Sequence, residues 1–342
     1  MQAAFRTNKQ ASHEPRAVSS FDPTIAYRTE KGIMFRAEAQ KALKSPSLSQ
    51  LKGKVQLVLT SPPFPLNRKK RYGNLYGEEY VKWLGSYASV LKEFLTDTGS
   101  IVLELGNAWQ PGEPIMSTLA LKALLKFLES GNLYLCQQFV SFNKARLPGP
   151  AQWVNVDRIR VKDAYTHIWW MSVTKRPKAD NRRVLTEYSP AMLKLLSTQS
   201  YNSGKRPSEH SIGVKSFLRD NAGSIPSNVL TVTNTAASDP YMRYCRKHNI
   251  RLHPARMPKE IPRFFINMLT EENDIVMDPF SGSNITGHTA EELGRCWISI
   301  ERDFRYARSS KARFSNSSTS QLTPRKRANL IKQIVLTTHQ ER

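Results

Sequence analysis

The sequence predicts an α/β fold with a largely parallel sheet, and three observations carry that expectation. Short apolar, β-branched runs alternate with segments of helical period between residues 31 and 174. The alternation lapses near Lys178 and resumes at Pro258. Two segments that each follow a strand-like run, 60–64 and 278–284, are made of residues that stop regular structure and let another molecule approach the backbone.

Taken in order, residues 1 to about 25 are polar and without periodicity, which predicts a loosely attached tail. Lys31–Arg36 reads as a short strand, Ala37–Leu43 as a helix stopped at Lys44-Ser45-Pro46, and Val55–Leu59 as a buried strand. Glu79–Leu95 has helical spacing (Tyr80, Leu84, Tyr87, Leu91, Phe94) and ends at Asp97-Thr98-Gly99. Ser100–Gly106 is a strand and Ser117–Leu128 a helix; Tyr134–Phe142 and Tyr165–Thr174 are two further strands. From about 180 to 252 the chain is rich in Ser, Asn, Arg, Pro and Tyr, and predicts an inserted module of irregular structure. Pro258–Leu269 is a helix, Asp274–Met277 a strand, Ile285–Leu293 a helix and Cys296–Ile300 a strand. Past 315 the tail is basic, with Leu330–Leu336 a short candidate helix.

Composition bounds the partners. The 342 residues carry 51 Lys and Arg against 28 Asp and Glu, a net charge of +23, and such an excess points to a polyanion. The cations are interleaved with aromatics through the chain and not gathered on one amphipathic helix, which favours nucleic acid over a membrane surface. No stretch has transmembrane length and no apolar leader opens the chain, so a cytoplasmic protein is expected. Cys136, Cys245 and Cys296 form no CxxC pair, so neither a disulfide framework nor a metal site is suggested; buried small hydrophobes are expected instead.

Thr60-Ser61-Pro62-Pro63-Phe64 forms a stiff loop, because each proline fixes its own backbone, removes a donor and pushes its predecessor to extended geometry. It offers a hydroxyl (Ser61), carbonyls and an aromatic ring (Phe64), a set suited to a planar heterocycle bearing an amino group. A Pro-rich turn with a buried Phe is the competing reading. Arg68, Lys69, Lys70 and Arg71 follow as a cationic loop suited to phosphates. Asp278-Pro279-Phe280-Ser281-Gly282-Ser283-Asn284 is a small-residue turn opening a helix, and Glu301 stands about twenty residues on, at the end of the next strand. That is where dinucleotide-type folds place a carboxylate for ribose hydroxyls. The turn is neither GxGxxG nor a P-loop, so it suits a nucleoside and not a polyphosphate. Two carboxylates beside it also suit a cationic cofactor.

Together these segments resemble the DNA amino-methyltransferases. Residues 278–287, with Ala290-Glu291 and Arg295–Glu301, resemble that family's S-adenosylmethionine-binding segment, and Thr60–Phe64 its catalytic loop in the cytosine-N4 form. The order, catalytic loop first and cofactor segment last, is that of the permuted β class. Asn143–Pro150, Arg158–Ala164, Arg206-Pro207-Ser208, Gly223–Pro226 and His253–Pro258 resemble its linking segments, so the likeness runs from about 30 to 314 and is close to the PvuII-type branch of restriction–modification enzymes. Asn284 stands where Gly is more usual, Ala37-Glu38 replaces a Gly–Asp contact, and Glu209 replaces a Gly.

The resemblance implies an S-adenosylmethionine-dependent methyltransferase fold: a Rossmann-like, mixed but mostly parallel sheet with helices on both faces and an irregular target-recognition region. The expected organisation is a tail (1–27), a catalytic part (28–179), a target-recognition region (180–252), a cofactor-binding part (253–314) and a basic tail (315–342). It implies site-specific transfer of methyl from S-adenosyl-L-methionine to cytosine N4 in double-stranded DNA within a restriction system. Ser61, Pro62, Pro63 and Phe64 would act on the flipped base. Glu38, Asp278, Pro279, Phe280, Gly282, Ser283, Asn284 and Glu301 would hold the cofactor, and Arg68–Arg71, Arg206 and His253 the DNA. A monomer is expected, with an endonuclease encoded alongside it but no stable complex. An adenine-N6 enzyme would carry Asp or Asn in place of Ser61. A C5 enzyme needs a Pro-Cys nucleophile, whereas Cys136 follows Leu135 in a strand. A DNA-binding protein with an inactive cofactor site is the non-enzymatic alternative.

Overall fold

The computed structural model describes residues 21–65, 75–232 and 239–314. In chain order the strands and helices are β1 (Thr24–Arg28), β2 (Gly32–Arg36), α1 (Ala39–Leu43), α2 (Pro46–Ser49), β3 (Val55–Thr60), α3 (Gly77–Phe94), β4 (Leu95–Gly106), α4 (Leu119–Gly131), β5 (Tyr134–Phe142), β6 (Tyr165–Ser172), α5 (Pro190–Thr198), β7 (Gly204–Lys205), β8 (Ser211–Ile212), β9 (Val229–Thr231), α6 (Pro240–Lys247), α7 (Glu260–Leu269), β10 (Ile275–Asp278), α8 (Ile285–Glu292), β11 (Cys296–Glu301) and α9 (Phe304–Ser309).

Nine strands form one sheet in the order β1-β2-β11-β10-β3-β4-β6-β5-β9. The pairs from β2 through β4 are parallel. β1 runs antiparallel to β2, and β6 runs antiparallel to both β4 and β5. The expected mixed, mostly parallel sheet is therefore present. Its central strands are buried on both faces, as covered parallel strands must be: every residue of β3 and β10 is buried. One core cluster packs α1, α3 and α4 against one face; a second packs α7 and residues of α8 and α9 against the other.

The sequence reading missed several elements, each for a local reason. β1 lies at the end of the polar N-terminal stretch, where Tyr27 alone is well buried. Pro46 ends α1 but also starts α2, because proline is accommodated in a first helical turn. The polar stretch 180–252 is less irregular than its composition suggests. Ser189 and Asp239 accept backbone amides as the N-caps of α5 and α6, and β9 joins the main sheet beside β5. Cys245 and Cys296 are buried as expected, but Cys136 is only half buried. No helix among the described residues is long and apolar enough to cross a membrane.

β3 and β10 are neighbours from distant parts of the chain, with β4 beyond one and β11 beyond the other. Sheets of this kind place ligands outside the carboxyl ends of strands at such a switch point. The two candidate loops follow β3 and β10 directly, so the topology sets them side by side.

Candidate active site

A cavity of about 1270 Å³ opens at this edge of the sheet. It is lined by Ser61, Pro62, Pro63 and Phe64 on one side and by Asp278, Pro279, Phe280, Gly282 and Ser283 on the other; Glu38 and Glu301 stand farther along the wall. More than two hundred residues separate the two loops, and one hydrogen bond joins them: Thr60 Oγ1 donates to Asp278 Oδ1 at 2.6 Å, with both residues buried.

The 60–64 loop is held by what surrounds it. Tyr80, on the buried face of α3, donates its hydroxyl to the Pro63 carbonyl at 2.9 Å. Phe64 lies on Gly106 at the end of β4, where a Cβ would fall 2.5 Å from ring carbon Cδ2, so only glycine fits beneath the ring. Glu104 also stands in this wall, buried in the apolar interior of β4. Its carboxylate accepts from Thr166 Oγ1 at 3.0 Å, and the nearby Ser61 hydroxyl also favours its charged form. Desolvation raises its pKa; the two hydroxyls and Arg146 oppose that rise without cancelling it. Sequence reading passed over Glu104, although the signal was there: a carboxylate inside the run Ile101-Val102-Leu103-Glu104-Leu105 needs a reason to be buried.

The 278–284 turn is held by hydrogen bonds. Asp278 accepts from Phe280 N at 3.1 Å as well as from Thr60, and burial pushes its carboxyl up to about 6. Gly282 has φ +51° and donates its amide to Glu301 Oε2 at 2.9 Å. Burial raises the Glu301 carboxyl, while the amides of Asp303 and Gly282 pull the other way. Phe280 packs edge-on to Tyr87 at 5.1 Å and tilted to Trp83 at 5.7 Å, so an aromatic face of α3 backs the turn. Glu38 stands at the start of α1 beside the end of β11, where Ala37 N donates to the Glu301 carbonyl, and it pairs with Lys41 at 3.3 Å.

Three expected site residues lie elsewhere or face differently. Asn284 is fully buried and points away from the cavity. Its left-handed backbone ends the turn; its Oδ1 accepts from Gly287 N and Ser299 Oγ, and its Nδ2 donates to Tyr27. It caps α8 and does not line the cavity. His253, expected to meet DNA, stands over the 278–284 turn: its ring lies against Gly282 and edge-on to Tyr306 at 4.7 Å. Arg206 lies in the β7–β8 hairpin, donating to the Asn202 carbonyl at 2.7 Å, away from the cavity wall. Arg68, Lys69, Lys70 and Arg71 fall outside the described residues. A further residue had no sequence signal at all. Arg313, only 4% exposed, donates to the Ser283 carbonyl (2.6 Å) and hydroxyl (3.0 Å) and pairs with Asp239 at the start of α6.

An open, mostly parallel α/β sheet with an S/P/P/F loop facing a D/P/F/x/G turn across one cavity is the arrangement of an amino-group methyltransferase acting on a nucleobase. The family model described as DNA methylase, of the N6/N4 methyltransferase type, matches residues 55–312, and the chain belongs to that family. It is 42% identical over 305 residues to the Type II methyltransferase M.PvuII of Proteus hauseri, covering 88% of this chain and 89% of that one. It is 26% identical over 248 residues to the Type II methyltransferase M.HindIII of Haemophilus influenzae, 70% of each chain. The solved structure of PvuII DNA methyltransferase (cytosine-N4-specific) superposes with a TM-score of 0.69 at 34% identity, over 93% of this chain and 97% of that one.

Proposed function

We propose that this chain methylates the N4 amino group of cytosine at a specific site in double-stranded DNA, as the modification enzyme of a type II restriction system. The observation that carries the reading is that Ser61 and the buried Glu104 share one wall of the cavity, with the Ser61 hydroxyl favouring the charged carboxylate. The exocyclic amine of cytosine is a weak nucleophile because its lone pair is delocalised into the ring. Ser61 donates its own proton to Glu104, so its remaining lone pairs are free to accept an N–H from a base placed in the cavity. With the Pro62 carbonyl taking the second N–H, the lone pair is localised on nitrogen and its direction is set. The proton that the nitrogen sheds has a path: to Ser61 Oγ, with the Ser61 proton moving to Glu104. Desolvation makes Glu104 a better base than an ordinary carboxylate, and Thr166 holds it in place. Phe64 stacks on the base, worth roughly 1–3 kcal/mol by analogy with other base–aromatic contacts.

S-adenosyl-L-methionine supplies an electrophilic methyl on a sulfonium, and the second half of the cavity fits it. Glu38, Asp278 and Glu301 give carboxylates for hydroxyls and cationic groups, Phe280 gives an apolar surface, and Gly282 keeps the turn free of a side chain. Duplex DNA as the substrate agrees with the net charge of +23. Residues 180–252 are the part we assign to reading the site, since many of those described are exposed polar and cationic residues, and β9 is the edge strand of the sheet. The protein acts as a monomer on one strand at a time.

The test is direct. The purified chain is incubated with unmethylated DNA and methyl-labelled S-adenosylmethionine, and the DNA is digested to nucleosides. Labelled N4-methylcytosine is expected; N6-methyladenine, or no labelled nucleoside, overturns the reading.

A further inference from the structure

The connection from β5 to β6, residues 143–164, starts in the wall of the cavity, where Asn143 and Arg146 line it. This connection has the wrong surface for a loop facing only water. Leu147 is 84% exposed and Val161 86%, and Val156 and Ile159 are exposed with them. Single exposed apolar residues need no explanation, but four in one connection beside a cavity form a pattern. The same connection carries five cations, Lys144, Arg146, Arg158, Arg160 and Lys162, against two carboxylates. Asp163 is paired to Arg160, and Asp157 accepts from Gln152. The surface therefore combines apolar points with a positive field, which fits the interior of a nucleic-acid duplex framed by its phosphates.

The loop is also braced. Asn143 N donates to the Ala164 carbonyl at 2.8 Å, closing its base. Lys162 reaches back to the carbonyls of Lys144 (3.0 Å) and Arg146 (3.2 Å), and Arg146 donates to the Tyr165 carbonyl at 3.3 Å. Leu147 follows directly on these anchored residues and precedes Pro148, which biases it to extended backbone. An apolar side chain standing clear of a fixed backbone is what prying a base step apart requires.

We propose that Leu147 enters the base stack beside the target cytosine as that base swings into the cavity, filling the gap it leaves, while Arg146 guides it from the wall. The inference rests on the cytosine-N4 reading above and deepens it. A residue that stabilises the extruded state matters most when extrusion is costly, and little when the base has no partner to leave.

The experiment compares the full-length wild type, Leu147→Ala, Leu147→Met and Val161→Ala on two duplexes carrying the recognition site. One is fully paired, and the other has an abasic position opposite the target cytosine. Leu147→Ala should lose tenfold or more in methyl-transfer rate on the paired duplex and less than threefold on the abasic one. Leu147→Met should retain most of the wild-type rate, and Val161→Ala should stay within threefold on both. Donor binding without DNA, measured by calorimetry, should be unchanged in all variants, which shows that they are folded. Equal losses on the two duplexes, no loss on either, or the abasic rescue appearing in Val161→Ala instead each overturn the assignment. A wild type that methylates cytosine on neither duplex overturns the parent reading and takes this one with it.

Discussion

The two loops that face each other across the cavity solve the same problem by different means. The 60–64 loop is rigid because of its covalent structure: two prolines fix the backbone, and a ring wedged on Gly106 and the Tyr80 hydroxyl seat it. The 278–284 turn is soft by composition, with Ser281, Gly282 and Ser283 at its centre, and is rigid only because others hold it. Glu301 takes the Gly282 amide, Arg313 takes Ser283, and Asn284 caps the exit. A loop stiffened by its own residues can be read in one dimension; a turn stiffened by distant partners cannot. The same difference assigns their work. In the proposed reaction the proline loop would present fixed acceptors to a base, where small displacements cost rate. The glycine turn leaves backbone bare so that a ligand can come close.

The comparison breaks most sharply at Ser61 and Glu104. Ser61→Ala and Glu104→Gln should each lower methyl transfer by roughly 10²–10⁴-fold, the range for lost acid–base participation, while leaving DNA affinity in a mobility-shift assay within about threefold. Because the two act as one unit, the double variant should be little worse than either single one. The acid limb of the wild-type pH–rate profile should also lie above the ordinary carboxylate range, since desolvation raises Glu104, and transfer falls as pH drops through that raised pKa. An acid limb at the normal glutamate position would detach Glu104 from the chemistry.

The next effect is thermodynamic and belongs to Asp278. Its carboxyl is pushed from 3.8 to about 6 by burial, so between these values the folded state binds a proton that the unfolded state has lost. Stability from this group is therefore complete below about pH 3.8 and declines as pH rises through 6. Asp278→Asn removes the titration while keeping an acceptor for Thr60 and Phe280 N. The variant's unfolding free energy relative to wild type should therefore grow with pH over that window, by up to about 3 kcal/mol at 1.36 kcal/mol per unit. Denaturant titrations at pH 4, 5, 6 and 7 measure it; a difference that is flat with pH would mean the carboxyl is ionised at no cost.

What was legible in the sequence follows the same division. Most strands and helices outside residues 180–252, the Ser61–Phe64 loop and the Asp278–Ser283 turn were legible because periodicity, proline and glycine act locally. The placements of Glu104, Arg313 and His253 were not, since each depends on partners 29 or more residues away or on which face a loop presents. Glu104 left a trace, a charge in an apolar strand, whereas Arg313 near a basic tail left none. Asn284 misled for a related reason: position in a motif does not say whether a side chain turns outward to a ligand or inward to cap a helix, as it does here.

Gly282 tests the softer loop itself. At φ +51° any other residue is strained, by about 1–2 kcal/mol, and a Cβ would come within 2.9 Å of His253 Cε1. Gly282→Ala should raise KM for S-adenosylmethionine by roughly tenfold with DNA affinity unchanged, since the strain falls on the donor side of the cavity. A variant that weakens DNA and donor binding equally would mean that the two loops are one rigid body.

That possibility comes down to Thr60, whose side chain joins them. Thr60→Val deletes the hydrogen bond to Asp278 with almost no change in shape, and Asp278 keeps the Phe280 amide, so the stability cost should be only about 1 kcal/mol. The informative quantity is the coupling. If Thr60 serves only to satisfy a buried carboxyl, Thr60→Val in an Asp278→Asn background should cost the same as alone, because the amide oxygen accepts as well. If the bond is charge-assisted, its loss should cost more at pH 7.5, where Asp278 is ionised, than at pH 5, where it is mostly protonated. A double-mutant cycle at the two pH values separates these outcomes. A coupling that appears only at the higher pH would tie the position of the Ser61 loop to the ionisation of a carboxylate in the facing turn.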